Sequence, residues 1–104
     1  MAQDLILMKL GGSVITNKRS QIPKCRKKNI DQIAKIISKS DKKIILVHGA
    51  GSYAHPIAKK YKINDGFDGT NKQVEAITKA RKQMIELNQV LCKSIVEAGL
   101  DCKS

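Results

Sequence analysis

The chain has 104 residues, 41% of them hydrophobic, and a formal net charge of +11. This length allows one small domain at most. No apolar run approaches the roughly 18 residues typical of a membrane span, and the first residues show no secretory signal. We therefore expect a cytoplasmic protein. The three cysteines, Cys25, Cys92 and Cys102, are odd in number and widely spaced, and in that compartment they are expected to be free thiols.

The excess positive charge would suit a nucleic acid, a membrane surface or an anionic metabolite. Lysines are spread through the chain, with one local cluster at Lys24, Arg26, Lys27 and Lys28. One Phe, two Tyr and no Trp offer few rings on which bases could stack. A basic nucleic-acid-binding domain therefore stays the alternative from a different functional class, and we expect no nucleic-acid and no membrane partner.

The first half of the chain predicts two strands separated by a helix. The apolar run 5–10 predicts a buried strand that ends at a glycine pair. The stretch 14–28 is polar, without helical period, and predicts a loop or hairpin. Asn29, as an N-cap, begins a helix that ends near Ser40, and residues 43–47 form the second strand. The pair is expected to be parallel, and both strands are nearly all apolar, which is typical of a sheet covered on both faces.

The second half predicts a short helix, a loop and a long helix. The short helix begins at His55 or Pro56 and ends at Tyr61, and residues 63–69 form the loop. Thr70 caps the long helix, which Gly99 ends. Its core-facing residues are Val74, Ile77, Ala80, Met84, Leu87, Leu91 and Ile95. A third strand should follow, so we expect the chain to be the N-terminal piece of a longer protein, with sheet edges and apolar faces left uncovered.

A glycine-rich turn follows each predicted strand, the first at 11–13 and the second at 49–52. Ligands of open α/β sheets bind at the carboxyl ends of the strands. Tight turns there present backbone N–H groups that favour a phosphate. Two such turns side by side indicate a reaction between two phosphate-bearing molecules, or a single nucleotide bound by both turns. Lys9 ends the first strand, where its ammonium could reach a transferred phosphoryl group, and Lys18 follows on the loop. His48 is expected to pack at the strand end.

Other nucleotide motifs fit poorly. Neither turn has the spacing of a Walker loop. Gly49, Gly51 and Ala54 satisfy the relaxed form of the dinucleotide fingerprint, but that motif also needs an acidic residue about 20 positions on, within a βαβ unit. Asp68 lies near that distance in a predicted turn, with no strand before it. The dinucleotide interpretation is therefore weak.

Segments 9–18, 47–56 and 58–61 resemble the archaeal-type isopentenyl phosphate kinases of the amino acid kinase superfamily. The discriminating residue is His55, which ends a segment similar to the HGGGSFGH pattern of those kinases. The related fosfomycin kinases share much of that pattern. Ala50 and Ala54 stand where the pattern has glycine. Alanine would be strained there if the backbone needed positive φ, and acceptable if only a small residue were needed.

The resemblance implies a fold and an activity. The fold would be the parallel-sheet, three-layer α/β sandwich of the amino acid kinases, truncated to its N-terminal β-α-β-α part, with residues 1–104 forming the N-terminal portion of a single domain. The reaction would be ATP-dependent phosphorylation of isopentenyl phosphate, with Mg²⁺ as the metal and no protein ligand for it identified. A fosfomycin-type kinase is the alternative within the superfamily. The substrate would be a small phosphate, and the full-length protein a homodimer.

The resemblance also implies a role for each site residue. The residues expected to contact ATP are Lys9, Leu10, Gly11, Gly12, Ser13 and Gly51. The residues expected to bind the acceptor phosphate are Gly49, Ala50 and His55. The residues expected to act in catalysis are Lys9, Lys18 and His55. A phosphomonoester is largely ionised at neutral pH because its second pKa is about 6. Catalysis would therefore need positioning and positive charge rather than a general base.

Overall fold

The computed structural model of the chain describes residues 4–17, 19–61 and 69–103, with His55 described by its backbone alone. The elements in chain order are β1 (Leu5–Leu10), α1 (Gly12–Ile15), α2 (Lys27–Ser38), β2 (Lys43–His48), a 3-10 turn (Gly51–Tyr53), α3 (His55–Lys60) and α4 (Asn71–Glu97). The predicted β-α-β-α order is confirmed. The short helix α1 and the 3-10 turn are additions to it, and both directly follow a strand.

The two strands are parallel, in a register that ends both at the same level. Leu5 lies opposite Lys43, and Leu10 lies opposite His48. The Gly49 N–H donates to the carbonyl oxygen of Leu10 at 2.9 Å, which extends the pairing by one residue. The two glycine turns therefore begin side by side at one edge of the sheet.

Only one face of the sheet is covered. Met8 and Leu46 pack against the core, whose buried members are Leu10, Ile15, Ile30, Tyr53, Leu87 and Leu91. On the other face Leu7 is 70% exposed and Ile45 is 50% exposed. No layer of described residues lies over that face. The apolar strands therefore fit a sheet with two covers of which this chain supplies one, as expected for the N-terminal part of a larger fold.

Helix α2 begins three residues earlier than predicted, because its N-cap is Arg26 and not Asn29. Asn29 is not its N-cap, because the helix begins at Lys27 and its N-cap, Arg26, makes no side-chain capping bond. Instead, the Asn29 side-chain amide donates to the carbonyl oxygen of Val14 at 2.9 Å. The helix ends at Ser38 rather than near Ser40. The Asn29 side chain, predicted from a local pattern to cap the helix, instead makes a tertiary hydrogen bond.

Both predicted ends of α4 are confirmed. At its start the Gln73 N–H donates to the Thr70 hydroxyl at 3.3 Å. At its end Gly99 has a φ of +101°. The Gly99 N–H donates to the carbonyl oxygen of Val96 at 3.0 Å. This left-handed turn after the last helical residues is the arrangement that glycine adopts most readily.

The predicted core-facing stripe of α4 is right in the second half of the helix and partly right in the first. Leu87 and Leu91 are buried, and the other predicted members apart from Val74 are half-buried. Val74 is 47% exposed, whereas Gln73 and Ala76 are buried in its place. The Gln73 side-chain amide donates to the carbonyl oxygen of Tyr61 at 3.4 Å, which places Gln73 beside the end of α3.

A polar cluster joins α2 to α4. The Lys27 ammonium donates to Asp31 Oδ1 at 2.7 Å and to the Ser94 hydroxyl at 2.8 Å. The Ser94 hydroxyl donates to the same Asp31 oxygen at 3.0 Å. The hydrogen bond from Lys27, followed by that from Ser94, holds the pKa of the Asp31 carboxyl below its ordinary value.

Two of the three cysteines are paired, so the expectation of free thiols was wrong for them. Cys92 on α4 forms a disulfide with Cys102, with 5.6 Å between the Cα atoms. The left-handed turn at Gly99 reverses the chain and brings Cys102 back beside the helix. Cys25 is free and half-buried.

Candidate functional site

The two glycine turns touch through their backbones. A Cβ atom on Gly12 would lie 2.5 Å from the nitrogen of Gly51, and one on Gly49 would lie 2.8 Å from the nitrogen of Gly12. Side-chain carbons do not approach backbone atoms so closely, so both positions need glycine. The two turns predicted separately from the sequence therefore form one continuous site.

The second turn keeps two N–H groups for a ligand. The Gly49 N–H is bonded to Leu10, and the Ser52 N–H donates to the Thr16 hydroxyl at 3.2 Å. Between them, the N–H groups of Ala50 and Gly51 have no partner anywhere in the described ranges. Ala50 is half-buried and Gly51 is buried. Adjacent unpaired backbone donors in such a turn are suited to bind an anion.

The first turn offers a similar pair. Gly11 precedes α1 with extended backbone at φ −65° and ψ 148°. The Val14 N–H donates to the Gly11 carbonyl oxygen, and the Thr16 N–H to that of Gly12. The N–H groups of Gly12 and Ser13 have no acceptor among residues 4–17, 19–61 and 69–103, as is usual for a first helical turn.

The two alanines that replace glycine in the family pattern are unstrained. Ala50 has a φ of −94°, and Ala54 has a φ of −141°. Both values are ordinary for any residue. Gly51 alone in this segment has positive φ, at +52°, and there the chain has kept glycine. The departures are therefore compatible with the turn geometry.

The structure describes only some of the predicted site residues that carry side chains. Lys9 is exposed on β1, two residues before the first turn, and Leu10 is buried in the core. Leu10 can therefore contact a ligand only through its backbone. Lys18 lies outside the described residues. His55 begins α3, and its side chain lies outside the described part of the structure.

His48 packs at the strand end, as expected. Its Nδ1 lies 3.0 Å from the carbonyl oxygen of Gly49, and its Nε2 lies 3.2 Å from the side-chain nitrogen of Asn88. A neutral ring with its proton on Nδ1 satisfies both contacts, donating to Gly49 and accepting from Asn88. Both ring nitrogens are thus used in contacts within the protein, one with the second turn and one with α4.

Two buried hydroxyls at the site were missed by reasoning from sequence. Thr16 is fully buried and Ser52 is 1% exposed. The Thr16 hydroxyl donates to the Gly12 carbonyl oxygen at 2.6 Å and accepts from the Ser52 N–H. The sequence indicates this hydrogen bond only by placing a hydroxyl residue in or shortly after each glycine turn, because Thr16 and Ser52 are 36 positions apart.

Tyr53 closes the core side of the second turn. It is 7% exposed and belongs to the central apolar cluster. Burial, followed by a hydrogen bond with the Cys25 side chain, raises the pKa of Tyr53 to about 12. The phenol is therefore neutral at physiological pH, and the turn gains no negative charge from it.

A groove of about 1440 Å³ opens between α3, α4 and segment 20–23. Four lysines line it together with apolar residues: Lys59, Lys60, Lys72 and Lys79, with Ile22, Pro23, Pro56, Ile57 and Ala76. Glu75 also belongs to the lining, and α3, which forms one wall, begins three residues after the second turn.

Neither a metal site nor a membrane helix is found in the described ranges. Residues 4–17, 19–61 and 69–103 contain no group of three His, Cys, Asp or Glu side chains able to hold a metal ion. Of the described helices, none has both the length and the hydropathy that crossing a membrane would require.

Two proteins named isopentenyl phosphate kinase are similar in sequence to this chain. It is similar to the isopentenyl phosphate kinase of Methanothermobacter thermautotrophicus, with 32% identity over 104 residues, covering 96% of this chain and 39% of that protein. The isopentenyl phosphate kinase of Methanocaldococcus jannaschii is 41% identical over 73 residues, covering 60% of this chain and 27% of that protein.

The fold agrees with these similarities. The structure of T. acidophilum isopentenyl phosphate kinase in its product complex matches with a TM-score of 0.81 at 26% identity, covering 94% of this chain and 40% of that one. The chain thus spans about two fifths of the first of these relatives and of the solved structure. The family model of the amino acid kinases matches residues 4–104. The chain belongs to the amino acid kinase family.

Proposed function

We propose that the protein to which this chain belongs transfers the γ-phosphoryl group of ATP to isopentenyl phosphate, giving ADP and isopentenyl diphosphate. The observation that carries the proposal is the pair of glycine turns in backbone contact, each with two adjacent N–H groups that no described residue uses. The relatives named isopentenyl phosphate kinase support the choice of acceptor.

In this proposal each turn holds one phosphate. The N–H groups of Gly12 and Ser13 bind the donor phosphates. That of Ala50 binds the acceptor phosphate, and Gly51, which packs against Gly12 of the donor turn, is the residue of the second turn that contacts ATP. Because the turns touch, a phosphate on each would lie near the other, and such placement supplies much of the catalysis in phosphoryl transfer.

Positive charge is the second requirement, since both substrates are anions. The Lys9 ammonium would contact the donor phosphates from the end of β1, and Lys18 would neutralise charge that develops on the transferred group. His55 would donate a hydrogen bond to the acceptor phosphate and so select a phosphomonoester over a carboxylate. The acceptor oxygen is already ionised, so no residue is assigned as a base.

ATP is the donor of the phosphoryl group, with Mg²⁺ as its accompanying metal ion, and no group of described residues is assigned to hold that ion. A homodimeric, cytoplasmic protein belongs to the same proposal. A fosfomycin-type kinase is the second candidate. Its support is the groove between α3, α4 and segment 20–23, where four lysines and Glu75 would suit an acceptor that carries polar groups beyond the reacting one.

The test is a turnover assay on the polypeptide encoded by the complete reading frame. With ATP and isopentenyl phosphate, ³¹P NMR should show ADP and isopentenyl diphosphate, and fosfomycin should react much more slowly. Turnover of fosfomycin alone would favour the second candidate. No turnover of either, with salt-sensitive retention of DNA or RNA, would favour the nucleic-acid alternative.

A matched pair of lysine variants tests the assigned charge. Lys9 and Lys43 are both exposed strand residues, but Lys9 lies at the glycine-turn end of the sheet and Lys43 at the opposite end. Lys9→Met should lower kcat by roughly 10²-fold or more, the usual loss for a group that stabilises transition-state charge. Lys43→Met should leave kcat within about twofold of wild type, because its charge is remote from the turns. Equal losses in both variants would contradict the role of Lys9.

A further inference from the structure

The hydroxyl of Thr16 joins the two glycine turns. It donates to the carbonyl oxygen of Gly12 in the first turn at 2.6 Å and accepts from the N–H of Ser52 in the second at 3.2 Å. The residue is fully buried, so water does not compete for either bond. These are direct side-chain hydrogen bonds between one turn and the other.

The Thr16 hydroxyl is packed closely against the second turn. A Cβ atom on Gly51 would collide with Thr16 Oγ1, so the second turn is in contact with the hydroxyl as well as bonded to it. The backbone of Thr16 is fixed from a third side. Its carbonyl oxygen accepts from Arg26 Nε at 2.9 Å, and it forms an antiparallel bridge with Cys25.

Ser52 extends the connection to the basic segment. Its hydroxyl accepts from the Lys24 N–H at 3.0 Å and donates to the Lys24 carbonyl oxygen at 3.3 Å. The bonds therefore run from Gly12 through Thr16 and Ser52 to Lys24. Thr16 and Lys24 enclose in sequence the segment that contains Lys18.

We propose that Thr16 is a positioning residue that fixes the distance between the donor-phosphate turn and the acceptor-phosphate turn. The inference rests on the proposed function and adds to it a residue that contacts neither substrate. Each turn binds its own phosphate through backbone N–H groups, so each substrate binds without the Thr16 hydroxyl. Transfer between the phosphates depends on their separation, and a misplacement of about 1 Å can cost roughly 10²-fold in rate.

Kinetics of the complete polypeptide test this with three variants. Thr16→Val removes the hydroxyl at nearly constant volume, and Thr16→Ser restores it. Thr78→Val is the control, because the Thr78 hydroxyl makes the same kind of bond, to the carbonyl oxygen four residues earlier, on an exposed part of α4. Thr16→Val should lower kcat by about 10- to 100-fold, with the KM values for ATP and isopentenyl phosphate little changed. Thr16→Ser should regain most of kcat, and Thr78→Val should match wild type.

A binding measurement separates this inference from the proposed function. In ¹⁵N NMR spectra, ADP should shift the amide signals of Gly12 and Ser52 in the wild-type protein, although only Gly12 belongs to the donor turn. In Thr16→Val the Gly12 shift should remain and the Ser52 shift should be lost, and Thr16→Ser should show both.

The outcomes are distinct. An unchanged kcat in Thr16→Val, or a Ser52 shift that persists in that variant, overturns the inference and leaves the proposed function standing. A raised KM with unchanged kcat also overturns it, because Thr16 would then serve binding. Absence of the Gly12 shift and of turnover in the wild type overturns the proposed function, and the inference with it.

Discussion

At the scale of single residues, the site depends on backbone geometry more than on side-chain chemistry. Gly12 and Gly49 are needed because the two turns approach each other too closely for a Cβ atom. Gly51 is needed for a further reason, its positive φ of +52°. Ala50, between Gly49 and Gly51, has a φ of −94° and needs no glycine. Within this single turn, the need for glycine therefore differs from one position to the next.

This contrast gives a prediction. Gly51→Ala should destabilise the protein by at least about 1–2 kcal/mol, the backbone cost of left-handed geometry for a residue with a Cβ, and further through collision with Thr16 and Gly12. Ala50→Gly is the matched variant and should cost less than about 1 kcal/mol, through chain entropy alone. Urea unfolding followed by circular dichroism measures both. Equal losses would mean that the turn does not have the backbone described.

At the scale of elements, the sequence predicted correctly those features whose signals lie in neighbouring residues. Strand β1, the Thr70 cap and the Gly99 turn each depend on residues within a few positions, and all three are confirmed. The start of α2 and the Cys92–Cys102 disulfide depend on contacts between residues 10 or more positions apart, and both predictions were wrong. The pairing of Thr16 with Ser52 was missed for the same reason.

The polar cluster between α2 and α4 predicts a pH dependence. Its hydrogen bonds lower the pKa of Asp31 below 3.8, so its contribution to stability is complete above pH 3.8 and is lost as the pH falls through the lower folded-state pKa. A double-mutant cycle of Asp31→Asn and Lys27→Met, measured by urea unfolding, should show favourable coupling at pH 7 and much less at pH 2. Equal coupling at both pH values would show that the interaction of Lys27 with Asp31 does not depend on the charge of the carboxylate.

At the scale of the whole molecule, the chain is one layer of helices on a two-stranded sheet. Exposed apolar residues on the bare face include Leu5, Leu7, Ile45 and Val47. A parallel sheet is normally covered on both faces, and the solved relative is about two and a half times as long as the part matched here. We infer that the rest of the kinase fold covers this face and contributes to the nucleotide site.

Residues 1–104 alone should therefore lack kinase activity and bind the dye ANS, which reports exposed apolar surface. Leu7→Ser should reduce the fluorescence of bound ANS with little loss of stability, because Leu7 is 70% exposed. Leu10→Ala, on the covered face, should instead cost roughly 2–5 kcal/mol. Turnover by residues 1–104, or an ANS signal indifferent to Leu7→Ser, would contradict this account of the open face.

The most direct test of the central claim, that each glycine turn holds one phosphate, is a crystal structure of the complete polypeptide with ADP and isopentenyl phosphate. The account predicts ADP phosphate oxygens within about 3 Å of the Gly12 and Ser13 nitrogens, and an acceptor phosphate oxygen at the same distance from the Ala50 nitrogen. Both phosphates on a single turn, or either one bound away from these three nitrogens, would contradict it.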